Sequence, residues 1–196
     1  MGASVAIAGG TTISAGSANH PGIVTQRSHA TNANSGAAWG IAPNALLLAG
    51  GESVEVVFRV DRLTDVTAYL GFQDSFAVAA PTDGAFVKIP STGALIGQTS
   101  AASVTSSTAT IATVSIGTWY RALIEVNATA TSVTFSLYSE AGALLGSASL
   151  TTNIPTVAGQ ETGVITTTTL AIAAGSAVDL LSLDYVGVAI DRTLVR

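Results

Sequence analysis

The sequence predicts an all-β fold, an antiparallel sandwich or jelly roll, and three observations carry that prediction. Apolar and polar residues alternate with a period of two in short runs, turn residues recur every 8 to 12 positions or so, and no segment shows a capped apolar stripe of helical period. Together they divide the 196 residues into about a dozen strands, enough for one sandwich domain.

Residues 3–8 alternate weakly and read as a first strand or arm spanning 1–18, ahead of a single domain at 19–196. Gly9–Thr12 and Ser14–Ser17 read as a flexible lead. Asn19-His20-Pro21-Gly22 is a turn, because proline fixes φ, disfavours helix at His20 and leaves Gly22 to take a left-handed conformation. Ile23–His29 is a strand, Thr31–Gly36 a polar loop and Ala37–Ile41 another short strand. After the apolar run Leu46–Leu48, Val54, Val56, Phe58 and Val60 alternate with Glu55, Arg59 and Asp61, a half-buried strand. Val66–Phe72 and Ala85–Ile89 follow, separated by a loop. Residues 91–115 are rich in Thr, Ser, Ala and Gly, and only Leu95-Ile96 and Ile111–Val114 read as strand.

The clearest pattern is a three-stranded meander. Tyr120, Ala122, Ile124 and Val126 face one way against Arg121, Glu125 and Asn127, and Val133, Phe135 and Leu137 repeat the phase before Leu144–Leu150. Pro155 stops the sheet, since proline cannot donate to a ladder. Gly163–Ala174 and Val178–Ile190 are the last strands, and Arg192–Arg196 the tail.

Charged residues make up 10% of the chain, against roughly 25% in an average soluble domain, while hydrophobic residues make up 48% and mean hydropathy is +0.53. A surface so poor in charge predicts assembly, with homo-oligomers the expected form. No run approaches the roughly 18 apolar residues of a spanning helix, so no membrane partner is expected. A net charge of −5 and a single lysine, Lys88, leave no basic stripe for nucleic acid. Without cysteine there is neither a disulfide nor a thiolate metal site. The first ten residues lack a basic n-region and a long apolar core, so a cleaved leader is not expected.

Several stretches in order, covering nearly the whole chain, resemble phage virion proteins with a concanavalin A-like jelly-roll domain of the lectin/glucanase type. They are Asn19-His20-Pro21-Gly22, Tyr69-Leu70-Gly71-Phe72 with Asp74, Asp83–Val87, Thr118–Arg121, the Asn127–Phe135 hairpin, Ile154-Pro155 and Leu183–Gly187. The resemblance implies a structural virion component on the particle surface, a capsid decoration (cement) or head-fibre protein bound to the major capsid protein or another virion protein. The alternative is a glycan-binding adhesion module of a tail, fibre or baseplate that takes polysaccharide.

An enzyme is not expected. The glucanases that share this fold carry a Glu-x-Asp-x-x-Glu strand, which this chain lacks, and glycosidic cleavage needs two carboxyls roughly 5 to 10 Å apart. Glu52 and Glu55, three apart, point to opposite faces of a strand, and Glu55 is expected to pair with Arg59 on the outer face. No cofactor or metal is expected, and Asp74 and Asp83 read as turn caps rather than calcium ligands. His20 is expected to bond nearby backbone. For glycan binding, where aromatic rings stack on pyranoses and Asn or Asp bind hydroxyls, the candidates are Trp39, His29, Asn32, Asn34, Tyr69 and Asp74. Phe76 and Trp119 are further aromatic candidates, Trp119 equally able to cover the sandwich edge.

Overall fold

The computed structural model describes residues 3–14, 16, 19–77 and 79–190; the Arg192–Arg196 tail lies outside them. Fifteen strands form among these residues. They are β1 (Ala3–Ile7), β2 (Thr11–Ser14), β3 (Val24–Arg27), β4 (Ser35–Leu46), β5 (Glu52–Val60), β6 (Val66–Gln73), β7 (Gly84–Ile89) and β8 (Ala94–Ala101). The chain continues through β9 (Val104–Ser107), β10 (Ala112–Thr113), β11 (Trp119–Val126), β12 (Val133–Ser139), β13 (Leu144–Leu150), β14 (Thr162–Leu170) and β15 (Asp179–Ile190).

Two antiparallel sheets stack face to face. One has eight strands in the order β1-β4-β14-β6-β7-β8-β10, with β9 also paired to β8. The other has seven, in the order β13-β12-β11-β5-β15-β3-β2. The meander β11-β12-β13 runs through consecutive neighbours, as its spacing predicts, whereas β14 and β15 are inserted between early strands. The fold is the concanavalin A-like jelly roll. Among the described residues no helix is long and apolar enough to cross a membrane.

The period-two pattern decides what is buried. Val54, Val56, Phe58, Tyr120, Ile124, Phe135 and Leu137 from one sheet meet Leu70, Phe72, Val87, Ile89 and Leu95 from the other in one core. Gly97 of β8 lets the Phe135 ring approach the opposite backbone, since a Cβ there would lie 2.4 Å from the ring. At about 25 cal/mol per Å2, burial of these side chains supplies the driving force for closing the sandwich. A buried polar bridge also crosses the core. Gln26 of β3 donates from Nε2 to the carbonyl oxygen and Oγ1 of Thr166, both at 2.9 Å, and Thr168 Oγ1 donates to Gln26 Oε1 at 2.8 Å.

The structure corrects several expectations. Residues 94–107, which read largely as low-complexity loop, form β8 and β9; side-chain bonds such as Gln98 Nε2 to Ser107 Oγ at 2.8 Å reinforce their pairing. Thr11–Ser14 is strand rather than flexible lead, pairing with β3, while β1 pairs with β4, so residues 3–14 contribute to both sheets. The strand expected to reach Ala174 ends at Leu170, where the Ala171 N–H turns aside to the Asp65 carbonyl at 2.9 Å. Glu55 pairs with Arg121 at 2.9 Å, not with Arg59. Cross-strand registry explains this, because β11 sets Arg121 opposite Val57 and so diagonal to Glu55 on the same face, while Arg59 Nε is held by Asp61 at 2.6 Å.

Candidate functional site

The most developed polar and aromatic cluster lies on the outer face of the seven-stranded sheet. Registry places Trp119, Arg59, Ser182 and Thr25 side by side on β11, β5, β15 and β3. Arg59 donates from Nε to Asp61 at 2.6 Å, and Ser182 donates to the other Asp61 oxygen at 2.6 Å. The Arg59 guanidinium also sits 5.2 Å from the Trp119 ring centroid, within cation–π range.

The turn at residues 19–22 folds over this row. The His20 ring stacks on Trp119 with centroids 4.0 Å apart and planes 18° from parallel. Its Nδ1 lies 3.0 Å from Asp184 Oδ2 on β15, and its Nε2 lies 3.5 Å from Glu140 Oε1, long for a hydrogen bond but within ion-pair range. His20 is therefore a tertiary clasp rather than a turn residue bonded to local backbone, as the sequence suggested. It reaches across 164 residues, a distance that no local pattern reports.

Beside this clasp a cleft of about 320 Å3 opens between the sheets, lined by Gly22, Val24, Trp39, Leu183, Asp184, Tyr185 and Val186. A β-bulge between Leu183 and Tyr185 shapes it, since the irregular register where β15 meets β5 re-aims the side chains beside it. Trp39, on β4, packs one side against the core and leaves the other at the cleft. Tyr185 is 53% exposed. Asp184, anchored by His20, adds a carboxylate to the same wall. Aromatic faces beside a fixed acceptor can stack on an apolar ring and accept its hydroxyl protons.

Of the six glycan candidates, Trp39 lines this cleft. Asp184 and Tyr185 were missed in that role, although they belong to the motif Leu183–Gly187; the adjacency of an acid and an aromatic was the one signal in the sequence. The other candidates lie elsewhere. His29 Nδ1 accepts from the Thr31 N–H at 3.2 Å, Asn32 donates to the Ala8 carbonyl at 2.8 Å, and Asn34 sits at a turn with φ of 52°. Tyr69 is buried on the outer side of the eight-stranded sheet, edge-on to Phe86 at 5.6 Å, and burial pushes its phenol pKa up. Phe76 lies against Gly40 on that same side. Asp74 accepts from Thr82 Oγ1 across its own loop, and Asp83 accepts from the Ala102 N–H at 2.7 Å in the turn between β8 and β9. Among the described residues no three His, Asp or Glu side chains gather as a metal site would require.

Comparison with solved structures gives the same fold. The protein of unknown function SO2946 from Shewanella oneidensis MR-1 superposes with a TM-score of 0.75 at 19% identity, covering 94% of this chain and 76% of that one. A β-1,3-glucanase from Mycobacterium marinum superposes with a TM-score of 0.56 at 12% identity, covering 85% of this chain and 74% of that one. Lectin I from Ulex europaeus, in complex with the methyl glycoside of α-L-fucose, gives a TM-score of 0.56 at 10% identity, covering 94% and 90%. At these identities the likeness shows the fold alone, and an enzyme and a lectin share it. A search of curated protein sequences returns no match. The family model for the SO2946-like C-terminal domain matches residues 19–184, and the chain belongs to that family.

Proposed function

We propose that the protein is a glycan-binding sandwich of a phage particle, acting by adhesion rather than by catalysis. The observation that carries this reading is the cleft lined by Trp39 and Asp184, with the exposed Tyr185 at its border. An aromatic ring, that of Trp39, and a carboxylate held by His20 are what a pyranose requires, a ring to stack on and an acceptor for its hydroxyls. A binding role is further supported by the lining itself, where Asp184 is the one carboxylate, because hydrolysis by a carboxyl pair needs a second across the sugar bond. The lectin neighbour that shares this fold, in complex with the methyl glycoside of α-L-fucose, is in keeping with this reading.

A second reading, a capsid decoration or head-fibre protein on the particle surface that clamps coat subunits, is favoured by the low charge and by the exposed apolar side chains Val104, Ile116, Leu144 and Val157. The two roles are compatible on one particle. The test is a glycan array with wild type and Trp39→Ala, alongside immunogold labelling of particles. Reproducible binding that disappears in Trp39→Ala supports adhesion, and a silent array removes it. Gold in many copies over the head supports decoration, gold at a tail tip supports host recognition, and no gold removes the virion assignment.

A further inference from the structure

At 53%, Tyr185 is the most exposed aromatic among the described residues, and its neighbour two positions on explains how it is held. Past the irregular register after Leu183, Tyr185 and Gly187 lie opposite Val57 and Glu55, outward positions of β5, so both face away from the core. A Cβ on Gly187 would lie 2.4 Å from the Tyr185 hydroxyl oxygen and 2.7 Å from two of its ring carbons. The phenol end of the ring therefore occupies the space that a side chain at 187 would fill. Tyr185 is folded back along its own strand onto bare backbone, with the rest of the ring turned to solvent.

Beside that ring is a depression of about 430 Å3 on the outer face of the seven-stranded sheet, lined by Ser53, Glu55, Leu123, Tyr185 and Gly187 among others. Leu123 is an apolar residue at an outward position of β11, between Arg121 and Glu125, and it gives the depression an apolar wall. Glu55 is fixed by the Arg121 guanidinium at 2.9 Å, and Arg121 in turn lies 4.1 Å from the Tyr138 ring centroid. The pair cancels in charge while keeping a carboxylate at the rim, and Ser53 adds a hydroxyl.

We propose that this depression is a second sugar subsite, in which Tyr185 stacks on a pyranose while Ser53 and Glu55 bond its hydroxyls, and that the ligand is an uncharged oligosaccharide. An apolar ring surface beside neutralised polar groups suits a sugar better than an ion, since an anion would meet Glu55 and a cation would meet Arg121. Tyr185 borders both this depression and the Trp39 cleft, so one glycan chain passing over β15 engages both. The inference rests on the glycan-binding reading of that cleft and extends its ligand from a single sugar to a chain. Gly187 is a positioning residue, because it sets the posture of the ring without meeting the ligand through a side chain.

The experiment is an NMR titration of the 196-residue chain with cellohexaose, maltohexaose and chitohexaose, each beside its monosaccharide, following the Trp39 and Tyr185 ring signals. At least one hexasaccharide is expected to move both rings and to bind about tenfold more tightly than its monosaccharide. Tyr185→Phe is expected to keep that advantage, and Tyr185→Ala to remove it while Trp39 still responds. In Gly187→Ala the added methyl meets the movable end of the Tyr185 side chain, so the thermal midpoint is expected to hold while the hexasaccharide advantage shrinks. A Trp39 signal that moves while Tyr185 stays still overturns the subsite and leaves the cleft standing. Movement of Tyr185 alone supports sugar binding at the depression and counts against the cleft. Silence of both rings to all three hexasaccharides, or a hexasaccharide bound no better than its monosaccharide, overturns the proposal.

Discussion

The two tryptophans sit on strands of similar sequence character and have opposite fates. Trp119 is 8% exposed, roofed by His20 and flanked by Arg59, on the outer face of its sheet where exposure would be expected. Trp39 has the inward phase of β4 yet stands at an open cleft, because β3 stops short and leaves the sandwich rim unfilled beside it. Strand phase therefore does not decide which aromatic is available. What decides it is whether a loop from elsewhere in the chain folds over the ring. The 19–22 turn closes one site and borders the other, so the two are linked through the His20–Asp184 contact.

Removing the roofed ring is the strongest way to break this contrast. Trp119→Ala is expected to cost about 3 to 5 kcal/mol, the range for a buried aromatic, measured by urea unfolding. A loss below about 1 kcal/mol, within the range of an ordinary surface substitution, would mean that the stack contributes little. Trp39→Ala is expected to cost about 2 kcal/mol, because its ring is only part-buried, while abolishing any glycan binding that wild type shows. Equal destabilisation by the two substitutions would erase the distinction between roof and cleft.

Asp184→Asn tests the link between the sites. It keeps the shape but removes the charge opposite His20, and an expected loss of about 1 kcal/mol should accompany weaker sugar binding, read by calorimetry. Stability loss without any change in binding would confine Asp184 to the clasp.

The smallest effect is expected at Tyr69, the aromatic candidate that the fold buries on the other sheet. Burial raises its phenol pKa, so the neutral form is favoured in the folded state. Its contribution is fully present below the ordinary phenol value of about 10, and is lost as pH rises from there through the raised folded value. Thermal midpoints measured from pH 8 to 11 should fall less steeply in Tyr69→Phe than in wild type. Parallel curves would remove the ionisation of Tyr69 as a contributor.

Much of the fold is legible in residue order alone. The alternation of Val54, Val56, Phe58 and Val60, and of Tyr120, Ala122, Ile124 and Val126, identifies both the strands and their buried faces. Residues 94–107 defeat that reading because Thr, Ser, Ala and Gly fit either environment. Thr99 and Ser100 are buried in strand through bonds to the Thr152 and Thr82 carbonyls, contacts made 53 and 18 residues away. The site was less legible still. Trp39 could be named from its type, but Asp184 and Tyr185 gain their places from an irregular register with β5 and from the His20 contact, neither of which is written in local composition.

The sequence by itself determined the strands, their inward faces and the turns that join the meander, because these depend on side-chain alternation and on φ preferences a few residues apart. Only the tertiary structure decided that β15 lies between β3 and β5, that His20 meets Asp184, and that one tryptophan is covered while the other faces a cleft. The physical reason is that strand order is set when the two apolar faces close on each other. That collective burial positions residues far apart in the chain and leaves its mark in no short segment.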